Sequence, residues 1–161
     1  MLIRDATEAD WRQIWPFLRD VCAAGEVITY PRDVSEEAAR AIWMKAPPGR
    51  TVVAVEGDVV LGTAEMHPNQ LGPGSHVANA SFLVDPAQGR RGVGRALAEH
   101  VLARTREDGY RAIQFNAVVE TNAHAVRLWQ SLGFTVLTTV PEAFDHPRHG
   151  LVGLHVMHHR L

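Results

Sequence analysis

The sequence predicts a mixed α/β sheet of the α+β kind, and three observations predict it. Residues 76–119 read as strand, helix, strand, a βαβ unit whose two strands must lie parallel with a right-handed crossover. Residues 51–55 and 59–66 are two β-rich runs around the turn Gly57-Asp58, which is a hairpin signal. Beyond residue 120 a further helix is followed by two more β-rich runs. The resulting order is β, two helices, three strands, helix, strand, helix, two strands.

Each element has its own warrant. Residues 2–4 form a short apolar strand, and Thr7 with Asp10 three positions later is a helix-start signature. That helix runs through Trp11, Ile14 and Leu18, and Pro16 inside it is expected to kink or restart it. Residues 25–33 then form a loop. A second helix begins at Ser35, where Glu36 and Glu37 suit the positive end of the dipole, and runs to about Met44. After the hairpin, residues 76–84 form a third β segment, ended by Asp85-Pro86. In residues 92–106, Val93, Leu97 and Val101 recur every four positions and Gly109 stands where a helix C-cap belongs, the firmest helical pattern in the chain. Residues 112–119 are a strand and 121–132 a helix closed by Gly133. Residues 135–140 and 151–158 are a closing pair of strands, with a loop between them.

The 161 residues fit one domain spanning 1–161, and 46% hydrophobic with 21% charged residues is an ordinary globular composition. A formal charge of −2 offers no global positive field for a nucleic acid or an anionic membrane, so anion binding falls to local arginines. A single cysteine, Cys22, excludes an internal disulfide framework. The first residues are charged and lack an apolar leader-like run, and no stretch approaches membrane-spanning length, so the expected location is cytoplasmic.

The stretch VDPAQGRRGVGRAL, residues 84–97, carries the chemistry. A strand that ends in Arg90, Arg91, Gly92 and Gly94 and then turns into a helix presents unpaired N–H groups at the positive end of a helix dipole. Glycine removes the Cβ atoms that would hold an oxyanion off the backbone, and well-placed arginines add charge-assisted hydrogen bonds of roughly 1.5–3 kcal/mol each. A phosphate-bearing ligand suits such a loop. It is not a P-loop, because Gly94 is followed by Arg95 and Ala96, and it is not a dinucleotide fingerprint, because Leu97 stands where the third glycine belongs.

A second stretch completes the pattern. Val84-Asp85-Pro86 before the glycine loop, and Asn122-Ala123-His124-Ala125-Val126-Arg127-Leu128-Trp129-Gln130-Ser131-Leu132-Gly133-Phe134 after it, together resemble the GCN5-related N-acetyltransferase (GNAT) family. The resemblance covers residues 76–140 by motif and the remainder by element order. It implies a central sheet of about seven strands flanked by about four helices and splayed between the fourth and fifth strands. It also implies acetyl-CoA as co-substrate, with its pyrophosphate on the backbone amides of Arg91, Gly92, Val93, Gly94 and Arg95. The pantetheine arm would pair like an extra strand near Leu83 and Val84, and Asn122, Ala125 and Trp129 would line the cofactor. Two departures stand out. Gly89 and Arg90 occupy positions where the family carries Arg or Gln and then Gly, which displaces the polar side chain to Gln88 or Arg90. Trp129 occupies the position of the usual tyrosine general acid, and an indole N–H donates no proton at relevant pH.

Candidates for the rest of the chemistry are polar residues where a strand should be apolar. Asn79 and Ser81 share a face with Leu83, and Asn116 interrupts the strand 112–119. The two asparagines read either as neutral clamps for a polar or carboxylate-bearing acceptor or as satisfiers of buried backbone at a bulge. Glu120 reads as a base or as a helix-start carboxylate, with Glu65 as the other candidate base. Residues 115–122 resemble more narrowly a subgroup that includes the yeast azetidine-2-carboxylate acetyltransferase, which implies a small amino acid or analogue as acceptor. Tyr30, Phe144 and His146 lie in loops where relatives contact acceptors. The function expected is acetyl transfer to the amine of a small molecule. A non-catalytic acyl-CoA-binding module and a protein or peptide N-acetyltransferase are the alternatives, and a homodimer is expected from family habit. His155 and His158 alternate onto opposite strand faces with no cysteine nearby, so the histidine-rich end reads as scatter and not as a metal site.

Overall fold

The computed structural model describes residues 1–88 and 92–161. Seven strands form one sheet in the order β1-β2-β3-β4-β5-β7-β6. They are β1 (Leu2–Asp5), β2 (Arg50–Glu56), β3 (Val59–Pro68), β4 (Val77–Val84), β5 (Ala112–Val119), β6 (Thr135–His146) and β7 (Gly150–Arg160). The helices are α1 (Trp11–Ala24), α2 (Glu36–Trp43), α3 (Val93–Glu107) and α4 (Ala123–Ser131). β4 and β5 are the parallel pair; β1 to β4 are antiparallel neighbours, as are β5, β7 and β6.

Strand alternation splits the core in two. Val52 and Ala54 of β2 join Leu97, Val101, Ile113, Phe115 and Trp129 beneath α3 and α4. Their neighbours Val53 and Val55 join Trp11, Ile14, Leu18, Cys22 and Trp43 beneath α1 and α2. A sheet covered by helices on both faces reads as near-continuous apolar strands, which is what residues 51–55 are. The four-residue spacing in α3 buries Val93, Leu97 and Val101 almost completely, and Gly109, at φ +85, follows the helix end. Asp10 ties β1 to α1, accepting both terminal nitrogens of Arg4 at 2.7 and 2.9 Å together with the Thr7 N–H and hydroxyl.

Three local expectations need correction. α1 neither stops nor restarts at Pro16. Pro16 and Arg12 are both exposed, so the Arg12 carbonyl that loses its helical donor can take water instead. α4 begins at Ala123 and not at residue 121, because Asn122 is its N-cap and accepts the Ala125 N–H at 3.3 Å. β6 does not end at Val140 but runs to His146, placing Phe144 and His146 in a strand and not in a loop. The register passes from Val140↔Leu154 to Phe144↔Val152, so three residues of β6, 141–143, stand against Gly153 alone. This bulge absorbs Pro141, which cannot donate to the ladder, and Glu142 at φ 52.

Candidate active site

The site is where the sheet comes apart. β4 and β5 share only two registered pairs, Val77↔Ala112 and Ala78↔Ile113. From Asn79 to Val84 the β5-facing edge of β4 is therefore unpaired by β5. β5 turns away through a bulge, since Phe115 opposes Met157 while Val118 opposes His155. A cavity of about 420 Å3 fills the divergence. It is lined by residues 79–83 of β4, 115–119 of β5, 27–30 of the α1–α2 loop, and Asn122, Ala125 and Trp129 at the start of α4. A larger hollow of about 650 Å3 lies at the other end of these strands, beside His76 and Tyr110. It holds none of the candidate residues; Arg50 there is 2.9 Å from Asp5 and 3.6 Å from Asp108, and Lys45, which lines both hollows, pairs with Glu65 of the smaller one. Ligands of open parallel strands bind at the carboxyl ends, which is the end the smaller cavity occupies.

Beyond Leu83 the edge of β4 leads to the start of α3, where a Cβ on Gly94 would lie 3.6 Å from the Val84 side chain. Gly92 is the N-cap at φ +73, a left-handed conformation that only glycine adopts at little cost, and it has no side chain with which to cap the helix. The first backbone bond runs from Ala96 N–H to the Gly92 carbonyl, so the N–H groups of Val93, Gly94 and Arg95 precede the helical ladder. The Arg95 guanidinium donates to Ser131 Oγ at 2.8 Å, joining α3 to α4. Leu83 is buried and Val84 half-buried at the end of β4. Arg90 and Arg91 lie outside the described residues. Trp129 packs 4.8 Å from the rings of both Phe82 and Phe115 and is a wall of the cavity.

On the other side the lining is polar and comes from distant parts of the chain. Glu65, 2% exposed, and His67 lie on one face of β3, directly opposite Ser81 and Asn79 of β4. His67 Nδ1 is 2.8 Å from Glu65 Oε2, and Lys45 Nζ is 3.6 Å from the same oxygen. Tyr30 packs edge-on to Trp43. Burial, reinforced by the Glu65 carboxylate and then Cys22, pushes its hydroxyl well above the usual tyrosine value, so it stays protonated. The loop carrying Tyr30 is held by the β6–β7 hairpin, through an ion pair of Arg148 with Glu26 and a 2.7 Å hydrogen bond from Arg32 to the Asp145 carbonyl.

The structure brings together Tyr30, Asn79, Asn116, Leu83, Asn122, Ala125 and Trp129 around the cavity. Asn79 Oδ1 accepts the Ala80 N–H at 2.8 Å, and Asn116 donates to Asn69 Oδ1 at 2.7 Å. Glu120 sits apart: its carboxylate accepts the Gly153 N–H, and its own N–H donates to the Gly153 carbonyl. A Cβ on Gly153 would fall 2.6 Å from Thr139 Cγ2 and 3.0 Å from Glu120 Cδ, so glycine is required for that contact. Phe144 packs with Val119 and Val152, and His146 lies 4.5 Å ring to ring from His149; neither lines the cavity. Sequence reasoning missed Lys45 and His67. The signal for His67 was the alternation Glu65-Met66-His67, two polar residues on one face of an apolar strand; for Lys45, in a loop, there was none.

Residues 9–134 match the acetyltransferase (GNAT) family. A GCN5-related N-acetyltransferase from Kribbella flavida is 56% identical with a TM-score of 0.96, covering 99% of this chain and 97% of that one. The structure of yncA from Salmonella typhimurium, described as a putative acetyltransferase with its cofactor acetyl-CoA, is 26% identical with a TM-score of 0.84, covering 100% and 94%. N-acetyltransferase aca1 of Schizosaccharomyces pombe is 37% identical over 84 residues, which are 52% of this chain and 40% of that protein.

Proposed function

The chain belongs to the acetyltransferase (GNAT) family, N-acetyltransferases with acetyl-CoA as co-substrate, and from that premise we propose that it acetylates the amine of a small molecule resembling an amino acid. One observation carries this reading: the acceptor side of the cavity is lined by residues 27–30 and by buried Glu65, and the whole cavity, at about 420 Å3, is in the range of small-ligand sites. A peptide acceptor would need an open groove there.

The residues present fit the co-substrate. The uncapped N–H groups of Val93, Gly94 and Arg95, with Arg91 and Gly92 before them and the side chains of Arg90 and Arg95, are assigned to its pyrophosphate. The unpaired edge of β4 at Leu83 and Val84 is assigned to its extended arm, and a backbone N–H there to polarising the reacting carbonyl. Asn122, Ala125 and Trp129 wall the same channel. Acetyl-CoA supplies the acetyl group in activated form as a thioester. On the acceptor side Asn79 and Asn116 are neutral clamps, Tyr30 closes the pocket, and Lys45 offers a cation to an acceptor carboxylate. Glu120 braces the end of β5 against β7, which leaves Glu65 as the carboxylate of the cavity.

The test is thiol release from acetyl-CoA against free amino acids and analogues, including azetidine-2-carboxylate, beside polyamines, aminoglycosides and short peptides. Turnover on an amino-acid-like amine, lost in Asn79→Ala with acetyl-CoA binding kept, is expected. Turnover confined to peptides would replace the small-amine reading. Saturable acetyl-CoA binding with no turnover on any member would favour a binding module.

A further inference from the structure

Glu65 and His67 form an arrangement that the acetyl-transfer chemistry has not yet used. A carboxylate only accepts hydrogen bonds, so the 2.8 Å contact places the ring hydrogen of His67 on Nδ1. The lone pair then lies on Nε2, for which the described residues offer no hydrogen-bond partner, and the imidazole is partly exposed on the cavity wall. Glu65 is itself buried and has Lys45 on the same oxygen, so its orientation is held from two sides. An imidazole on the wall of a substrate cavity, its tautomer fixed by a buried carboxylate and its other nitrogen without a partner among the described residues, is the arrangement a general base requires.

We propose that His67 is the general base of this enzyme and that Glu65 is its positioning residue, an assignment that rests on the acetyl-transfer reading above. The acceptor enters as an ammonium. One N–H bond breaks and its proton passes to His67 Nε2, freeing the nitrogen lone pair to form the N–C bond to the acetyl carbonyl carbon. The C–S bond breaks with its electron pair leaving on sulfur. A second proton from the same nitrogen ends on that sulfur, and the imidazolium returns the first to solvent. The products are the amide, the free thiol and one proton. No acid is required of Trp129.

The groups facing His67 are Glu65 on its own strand, Lys45 from the α2–β2 loop, Tyr30 from the α1–α2 loop, and the neutral Asn79 and Ser81 of β4. Tyr30 stays protonated. A general base acts only in its unprotonated form, so the rate is expected to rise with pH.

The experiment begins with the imidazole itself. Long-range proton–nitrogen NMR of the full chain with CoA bound, recorded on the neutral ring, should show the Nδ1–H tautomer, and Glu65→Leu should shift it to the Nε2–H form. An Nε2–H ring in the unsubstituted protein would overturn the proposal. Next, with whichever amine of the panel is turned over, His67→Gln should lower kcat by about 100- to 10,000-fold, flatten the pH profile, and leave acetyl-CoA binding unchanged. Glu65→Gln, which retains an oxygen acceptor for Nδ1–H, should lose less rate than Glu65→Leu. A kcat and pH profile unchanged in His67→Gln would overturn the proposal. If no amine is turned over, the small-amine reading falls, and the NMR tautomer still decides whether the pair is built as described.

Discussion

The two sides of the cleft are built by opposite means. The side assigned to the co-substrate is mainly backbone: a helix start at Gly92 and a strand edge that β5 abandons after Ala78, with the Trp129 wall from α4. All of it lies within residues 79–134. The acceptor side is side chains: Tyr30, Lys45, Glu65, His67, Asn79 and Asn116, drawn from two loops and three strands. Backbone geometry serves any sequence that keeps the turn and the helix, whereas a constellation of side chains can be exchanged one residue at a time. The first suits a common co-substrate, the second an acceptor that differs between relatives.

Three substitutions sharpen or break this contrast. The largest effect should come from Leu97→Ala, which removes a fully buried side chain beneath α3 and should cost about 2–5 kcal/mol in urea unfolding. Acetyl-CoA binding, measured by calorimetry, should weaken with it, because the helix that presents the amides is loosened. Undiminished binding would mean that α3 does not carry the co-substrate side. Glu120→Ala comes next. Loss of the Gly153 contact should lower stability by about 1–3 kcal/mol. A drop in kcat of about 100-fold or more with stability intact would instead make Glu120 the base and undo the acceptor side as drawn. The smallest is Tyr30→Phe, which keeps the ring against Trp43 and removes a hydroxyl. A typical hydrogen bond contributes about 0.5–1.5 kcal/mol, so KM for the acceptor should rise by up to about tenfold while acetyl-CoA binding holds.

The same contrast explains what could be read in advance. The βαβ unit, the α3 stripe and the paired motifs at 84–97 and 122–134 are local, and strand alternation and helix periodicity expose them directly. Asn79 and Asn116 were visible as polar interruptions of apolar strands. The acceptor side depended on events that no local window contains: the register that sets Glu65 opposite Ser81, and the loop closure that brings Lys45 to a carboxylate twenty residues away. Glu120 was ambiguous for the same reason, since its partner Gly153 is 33 residues on. The length of β6 was misjudged because Pro141 ordinarily stops a strand, and only the pairing with β7 reveals that a bulge carries the chain past it.

Two registered pairs, at Val77 and Ala78, form the ladder between four antiparallel strands on one side and three on the other. The sheet is thus open along its middle, at the place where a folded chain usually gathers most of its cohesion. A molecule that slides into that opening as a strand supplies the missing rungs and is mortar as well as reagent. By mass action, a co-substrate at about a hundred times its Kd adds about 2.7 kcal/mol to the folded state. If the acetyl donor takes that place, the fold should be most durable when the enzyme has something to transfer.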